Sequence, residues 1–506
     1  MSLVVHRQLG LMCALLACGL PGGRAACASC VSSEDATGLL QLRAPPLPAL
    51  APLPRGHDGD GGHPFVEHAE HFAEEVVEEV QRIFASLRSD PSINPHVASD
   101  TQAAAHGNCR YNDLGARGCP IRGPQFAVGQ STQVYPGGST ACLDSDAYFF
   151  QVVKGRLDKL LIFFQGGGAC WNKLSYDAQM CRTKSEAHSL SGILNSSSTA
   201  NPYWDYTKVV VTYCSGDMHA GNTTQPWGMF GLLGLPQRGY HNAKAAVDWV
   251  LGEFPKLESL LVTGVSAGAL GTQIWSRTIL SQFAGRTDRA AVLADSFMGV
   301  LWPERSLHQS TMWLLRRFQL CTTPLIDNHQ LERCQNGTIL LGEVWMEAMQ
   351  MFPQVSFASV NSKVDNVQIM FEQAFEITSM LSLPGLMMTP AQYYIGVNRF
   401  LEAYHGHSNY MSFLVDGSQH TFLDKEYFYT ATPLGAEIAS ASQPLLMHWA
   451  RDCSNKVQRI AKTVCAGPLE RLRDWTFVNS TSYCDESLLP QAFHRYRSKP
   501  GTASKM

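Results

Sequence analysis

The sequence predicts an α/β fold in which a mostly parallel central sheet is flanked by helices. From about residue 106 onward, short apolar runs alternate with stretches of helical periodicity. The runs are rich in Val, Leu, Ile and Phe, as is typical of strands that are covered on both faces. Strands that alternate with helices favour parallel pairing, because each helix returns the chain to the same end of the sheet.

Six of the apolar runs are predicted to be strands, because each is short and ends at polar or glycine-containing segments. They cover residues 160–164, 209–213, 260–263, 291–294, 355–360 and 411–415. Apolar residues at helical spacing predict helices over residues 242–254 and 267–283. No internal repeat interrupts this alternation, so residues 106–495 are interpreted as one domain.

The segments outside residues 106–495 differ in composition from that domain. Residues 1–26 are predicted to be a signal peptide, because a basic start precedes a short apolar run and then small residues. A buried N-terminal helix is the alternative for these residues. Residues 27–105 are rich in Pro and Gly, which indicates a linker or pro-segment, and one amphipathic helix is predicted within residues 65–88. Residues 496–506 are predicted to be a disordered tail.

Composition excludes several classes of partner. The chain has 506 residues with a net charge of −4, so no field of one sign favours nucleic acid or an anionic membrane. After the predicted signal, no apolar stretch is long enough to cross a bilayer, so we expect no integral membrane segment in the mature chain. The pattern does not predict an oligomeric state.

Cysteine usage indicates an oxidising compartment and therefore secretion. The chain contains 15 cysteines, and outside the predicted signal they are scattered without paired CxxC motifs. We therefore expect disulfides, Cys170–Cys181 and Cys321–Cys334 among them, and neither a metal site nor a cofactor. N-glycosylation sequons begin at Asn195, Asn222, Asn336 and Asn479.

A nucleophile is predicted at Ser266, within the sequence Gly264–Gly268. An apolar run enters this turn and a helix-compatible segment leaves it. Glycines on both sides of a serine allow a tight turn that holds the hydroxyl above the end of a strand. The backbone N–H of Ala267, near a helix N-terminus, is then a candidate oxyanion donor.

A glycine-rich loop over residues 165–171 directly follows the strand predicted at residues 160–164. Consecutive glycines let backbone N–H groups turn towards a ligand, so Gly167 and Gly168 are candidates for the remaining oxyanion donors. A simple glycine-rich turn is the alternative. A phosphate-binding loop has little support, because the GxxxxGK[ST] pattern is missing.

A serine nucleophile needs a general base and a carboxylate that orients the base. In hydrolases of this architecture the chain order is Ser, then Asp or Glu, then His, each after a later strand. Asp365 and His420 fit that order, since each closely follows a predicted strand. Asp295 competes for the role of the acid. Three other histidines compete for the role of the base, namely His405, His407 and His448.

Taken together, these motifs resemble the pectin acetylesterase/Notum family of carboxylesterases. The matching segments, in family order, are residues 161–171, 212–217, 240–242, 263–269, 361–369 and 413–422. The resemblance implies an α/β-hydrolase-like fold and a Ser266, Asp365 and His420 triad. It also implies oxyanion donors at Gly167, Gly168 and Ala267. The chain departs from the family pattern at Gln165, where many relatives are expected to carry an acid.

The resulting prediction is a secreted serine carboxylesterase that hydrolyses O-acyl esters without a cofactor. O-acetyl esters on pectin-like polysaccharides are the favoured substrate. One alternative is a Notum-like deacylase of a lipid-modified protein, and another is a non-catalytic relative that binds glycans or lipids. Apolar residues such as Met346 and Met349 could wall an acyl pocket, although such stripes more often belong to the core.

Overall fold

A computed structural model describes the central part of the chain, and all described residues fall within the unit Arg82–Met506. The described residues are 107–228, 234–300, 316–378, 388–438, 443–455 and 463–464. The predicted signal peptide, the linker with its amphipathic helix and the predicted tail lie outside these ranges.

A ten-stranded sheet forms the centre of the described fold, in the order β1-β2-β3-β5-β4-β8-β9-β10-β11-β12. Its strands are β1 (Gly107–Arg110), β2 (Ser131–Tyr135), β3 (Phe150–Val153), β4 (Arg156–Phe164), β5 (Tyr206–Val211), β8 (Leu257–Val265), β9 (Thr287–Asp295), β10 (Ser356–Ser362), β11 (Tyr410–Val415) and β12 (Thr463–Val464). A separate hairpin pairs β6 (Thr223–Gln225) with β7 (Leu235–Gln237).

The direction of the strands confirms the predicted sheet. β3 is antiparallel to both of its neighbours, β2 and β5. The other pairs within the ten-stranded sheet are parallel. Nine strands therefore share one direction, which is the mostly parallel arrangement expected of a chain that alternates strands and helices.

Helices cover both faces of the sheet. They are α1 (Lys173–Asp177), α2 (Gly239–Glu253), α3 (Ala267–Gln282), α4 (Asn328–Asn336), α5 (Leu341–Met351), α6 (Asn366–Thr378), α7 (Pro390–His405), α8 (Tyr427–Thr430) and α9 (Leu446–Ser454). Neighbouring residues of β4 point to opposite faces, so Ile162 joins one hydrophobic cluster with Trp249 of α2, and Phe163 joins another with Trp449 of α9.

The strand predictions were correct in position and less accurate at their ends. The run predicted over residues 209–213 forms β5, which begins at Tyr206 and ends at Val211. Tyr213 leaves the strand because its N–H donates to the side chain of Gln165 at 2.9 Å instead of joining the sheet. β1, β2 and β3 were not predicted, since they are short strands near one edge of the sheet.

Four disulfides link the described cysteines, and both predicted pairs are confirmed. They are Cys109–Cys119, Cys142–Cys214, Cys170–Cys181 and Cys321–Cys334. Among the described residues Cys453 is a free, buried thiol, and burial raises its pKa to about 12. Such a thiol is protonated and unreactive at neutral pH.

Within the described ranges, none of the helices combines the length and apolar character needed to traverse a bilayer.

Candidate active site

Ser266 occupies the sharp turn between β8 and α3. Its backbone has φ 56° and ψ −125°, a strained conformation that persists only where the surrounding structure holds it. The N–H of Ser266 donates to the carbonyl oxygen of Asp295 at 2.9 Å, which ties the turn to the end of β9. A Cβ on Gly268 would overlap the carbonyl oxygen of Phe164, so only glycine allows β4 to approach this closely. The turn presents a half-buried serine at the carboxyl end of β8.

Asp365 and His420 form a buried pair after the carboxyl ends of β10 and β11. His420 Nδ1 lies 2.8 Å from Asp365 Oδ2 and 3.0 Å from Oδ1. Asp365 is fully buried and the His420 side chain is 4% exposed. Because a carboxylate only accepts hydrogen bonds, the pair fixes a proton on Nδ1 and leaves the Nε2 lone pair of the neutral ring available as a base.

His420 Nε2 is free to act on a ligand. The atom is buried and has no hydrogen-bond partner among the described residues. His420 and Ser266 line the same cavity. No hydrogen bond joins the two side chains in the described part of the chain, and such contacts often tighten only once a substrate is bound.

The N-terminus of α6 holds Asp365 in place. Its carboxylate accepts the backbone N–H groups of Val367 and Gln368, each at 3.0 Å. The side-chain amide of Gln368 also donates to Asp365 Oδ2 at 2.9 Å and accepts the N–H of Met298 at 3.0 Å. Gln368 therefore anchors Asp365 to the segment after β9.

The competing residues lie in other environments. Asp295 accepts the backbone N–H groups of Phe422 and Leu423, each at 2.7 Å. Its carboxylate thus holds the segment after His420 and does not bond the ring. His405 on α7 bonds the hydroxyl of Ser412. His407 and His448 do not line the cavity that contains Ser266.

The glycine loop after β4 turns its carbonyl groups away from the cavity. The carbonyl of Gly167 accepts the N–H of Arg182 at 2.9 Å, and the carbonyl of Gly168 accepts the hydroxyl of Tyr213 at 2.9 Å. Gly168 has φ 69°, and a Cβ there would overlap the carbonyl oxygen of Met180, so a side chain is excluded.

The N–H groups of this loop are available to bind an oxyanion. Among the described residues, no acceptor is paired with the N–H of Gly167 or Gly168. Gly168, Ala267 and Ser266 all line the cavity. Ala267 begins α3, and the first N–H groups of a helix have no partner within it. Two of the candidate donors, Gly168 and Ala267, are therefore brought to the same cavity as the candidate nucleophile, whereas Gly167 does not line it.

Sequence reasoning missed the residues that anchor the glycine loop. Gln165 was noted only as a departure from the family, yet its side chain accepts the N–H of Tyr213 at 2.9 Å. His219 donates through Nε2 to the carbonyl oxygen of Gln165 at 2.8 Å, and burial lowers the pKa of this histidine to about 4. No local signal could identify these partners, because they come from the segment after β5.

The cavity beside Ser266 is mostly apolar. Its volume is about 130 Å³, and it opens to solvent at its mouth. Glu372 of α6 is the only acidic side chain among the described lining residues. The apolar wall consists of Ala169, Trp171, Met218, Leu270, Phe297, Met298, Val300, Leu340, Leu341, Val367, Phe371, Phe375 and Phe400. Met346 and Met349 of α5 do not line the cavity. Met349 belongs to a hydrophobic core cluster, and Met346 packs against that cluster.

One described group of side chains could approach a metal ion, and it lies away from this cavity. Asp327, His329 and Glu347 bring one ligand atom each within 4.8 Å of the others. Asp327 is already paired with Arg277, and the side chain of His329 is 64% exposed. None of the three lines the cavity, so the group takes no part in the candidate active site.

Comparison with known proteins relates this chain to a described family. The family model described as Pectinacetylesterase matches residues 134–384. Those residues include the glycine loop, Ser266 and Asp365, whereas His420 lies beyond them.

Two curated relatives share part of the sequence. The palmitoleoyl-protein carboxylesterase NOTUM of Drosophila melanogaster is 28% identical over 159 residues, which cover 27% of this chain and 22% of the relative. The palmitoleoyl-protein carboxylesterase NOTUM of Schmidtea mediterranea is 30% identical over 128 residues, which cover 22% of this chain and 23% of the relative. The matched part of the chain thus spans less than a quarter of the length of either relative.

Proposed function

The chain belongs to the pectinacetylesterase family, and from this premise we propose that it is a secreted serine carboxylesterase that hydrolyses O-acyl esters. One observation carries the proposal: His420 is paired with Asp365 through Nδ1, and its Nε2 has no described partner in the cavity that Ser266 lines. The disulfides of the described chain support an oxidising compartment.

The mechanism has two half-reactions, and in each of them His420 acts first as a base and then as an acid. His420 Nε2 removes the proton of Ser266 as the serine oxygen forms a bond to the ester carbonyl carbon. The carbonyl electron pair moves to oxygen, which the N–H groups of Gly167, Gly168 and Ala267 stabilise. Collapse breaks the bond to the alcohol, which takes the proton from the imidazolium. Water then attacks the acyl-enzyme by the same steps and releases the acid.

The cavity favours a long acyl chain. A serine acyl-enzyme must hold its acyl group beside Ser266, and the wall at that point is formed mostly by apolar side chains. An acetyl group would leave most of the cavity unfilled, whereas each buried methylene contributes about 0.8 kcal/mol. We therefore propose a fatty acyl ester as the substrate, rather than the acetyl ester that the sequence favoured. Both curated relatives are named for palmitoleoyl-protein substrates.

Polysaccharide acetyl esters are the second candidate. The description of the matching family supports them, and an apolar cavity can also accept a small acyl group. The two candidates differ in how the rate should depend on the length of the acyl chain.

A series of p-nitrophenyl esters from acetate to palmitate, assayed beside acetylated pectin, tests the proposal. We expect kcat/KM to rise with acyl length, because longer chains bury more surface in the cavity. Ser266→Ala should lower kcat at least about 10⁴-fold, since it removes the nucleophile. Ser418→Ala is the matched control, because Ser418 is an exposed serine two residues before His420.

Full activity of Ser266→Ala would contradict the assignment of the nucleophile. Activity on acetylated pectin combined with no gain beyond the acetate ester would favour the second candidate. A folded wild-type protein that hydrolyses none of these esters would instead indicate the non-catalytic relative considered above.

A further inference from the structure

A second histidine–carboxylate pair lies outside the proposed triad. His188 Nε2 is 3.5 Å from Asp424 Oδ2, and the two side chains are only 10% and 12% exposed. The backbone of His188 is fixed to β3 in both directions, because its N–H donates to Gln151 Oε1 at 2.7 Å and its carbonyl accepts Gln151 Nε2 at 3.2 Å. The ring therefore has a defined place between two segments of the active site.

One ring nitrogen of His188 contacts the residue that opens the glycine loop. Gln165 Nε2 lies 3.1 Å from His188 Nδ1. Every other polar atom of Gln165 is also bonded: its N–H to Val211, its carbonyl to His219 and Oε1 to the N–H of Tyr213. Gln165 directly precedes the glycines of the proposed oxyanion site, so the loop starts from a fully anchored residue.

The hydrogen bonds fix the tautomer of His188. Tyr213 offers an N–H, which only the oxygen of the Gln165 amide can accept, so the NH₂ group must face His188. His188 Nδ1 is then the acceptor, and the proton of the neutral ring sits on Nε2. That nitrogen faces Asp424. Burial opposes ionisation of this carboxyl, yet the contact with His188 holds its pKa below the usual range.

The other end of this chain of contacts belongs to the segment that carries His420. Asp424 follows His420 by four residues, and its carbonyl accepts the hydroxyl of Ser191 at 2.6 Å. The carbonyl of Leu423 accepts the N–H of Ile193 at 2.7 Å. Residues 188–193 thus contact the His420 segment directly, and His188 connects that segment to the glycine loop.

We propose that His188 and Asp424 are positioning residues that, through Gln165, hold the oxyanion loop and the His420 segment in register. The inference rests on the proposed function. Their effect should appear in the transition state, because the loop N–H groups meet full negative charge only there. Loss of the pair should therefore lower kcat and leave KM nearly unchanged.

Steady-state kinetics on the preferred p-nitrophenyl ester test this role. His188→Phe keeps the ring shape and should lower kcat about tenfold, a fraction of the loss from deleting an oxyanion donor. His188→Asn keeps an acceptor for Gln165 and should retain more activity. Asp424→Ala should lower kcat, and the double variant should be no worse than His188→Phe, because both changes break one chain of contacts. His405→Phe is the control, a half-buried histidine bonded to Ser412.

Hydrogen exchange gives a readout that does not depend on turnover. We expect His188→Phe to speed amide exchange at residues 165–170 and 420–425, and His405→Phe to leave both segments unchanged. The inference would be overturned by unchanged amide exchange in both segments or by losses of kcat that add in the double variant. It would also be overturned if KM changed by as large a factor as kcat. If the wild-type protein hydrolyses no ester, the proposed function fails, and exchange alone decides whether the pair holds the two segments.

Discussion

At the scale of single residues, Asp295 is a carboxylate used for structure. It is fully buried, and burial raises its pKa to about 7 even though two backbone N–H groups oppose that shift. Because the pKa is higher in the folded state than the usual value near 4, the protonated form favours folding. The stabilisation is complete below about pH 4 and is lost as the pH rises through about 7.

Asp295→Asn should remove most of that pH dependence. The amide oxygen can accept the N–H groups of Phe422 and Leu423 as the carboxylate does, without a buried charge at neutral pH. We expect the melting temperature of the wild type, relative to the variant, to fall between pH 4 and pH 7. Thermal unfolding across that range measures it, with the exposed Asp113→Asn as the control. Parallel pH profiles of wild type and Asp295→Asn would contradict the assigned pKa.

The residues of the candidate site differ in how far sequence could predict them. Ser266 was predicted because a strained turn needs glycine neighbours, which is a local requirement. Asp365 and His420 were predicted from chain order and the family resemblance, and the structure pairs them at 2.8 Å. The contacts among Gln165, His188 and Asp424 join residues far apart in the chain, so no local pattern could reveal them.

At the scale of secondary-structure elements, two helices form much of the cavity beside Ser266. α6 contributes Phe371 and Phe375, which are four residues apart and therefore share one face of the helix. The start of α5 contributes Leu341 and Gly342, with Leu340 directly before it. Helix α6 also carries Asp365 at its N-terminus, so the cavity wall and the acid of the proposed triad are positioned by one element.

Leu340→Trp should narrow the cavity and change the preference for acyl length. The larger side chain would displace part of a long acyl chain, and two unburied methylenes cost about 1.6 kcal/mol, or roughly tenfold in kcat/KM. We expect the ratio of palmitate to butyrate ester activity to fall by about that factor. Leu157→Trp, at the opposite end of β4 from the glycine loop, is the control. An unchanged ratio would show that the acyl chain does not occupy this cavity.

Sequence patterns predicted the central elements better than the peripheral ones. The buried strands stand out because continuous apolar runs are typical of parallel strands covered on both faces. β9 begins at Thr287, four residues before its predicted start. The sequence pattern missed this part of the strand because its first residues are polar and at least partly exposed. The composition of the cavity wall was not predictable, since only the tertiary fold brings residues of α5 and α6 to one cavity.

At the scale of the whole molecule, the parallel sheet explains where the site lies. The glycine loop, Ser266, Asp365 and His420 follow β4, β8, β10 and β11, and these strands share one direction. The carboxyl ends of these strands therefore lie together at one end of the sheet, which is where open α/β sheets bind ligands. The disulfide Cys170–Cys181 links the glycine loop to the segment that carries Arg182, whose N–H donates to the carbonyl of Gly167.

The central claim is that Ser266 is an activated nucleophile, and labelling of the intact protein by a fluorophosphonate tests it most directly. We predict one covalent adduct by intact mass, located by peptide mapping at Ser266, lost in Ser266→Ala and retained in Ser418→Ala. Labelling should slow strongly in Asp365→Asn, because the proton on His420 Nδ1 then loses its carboxylate partner. A folded protein that gives no adduct, or an adduct on another residue that persists in Ser266→Ala, would contradict the account.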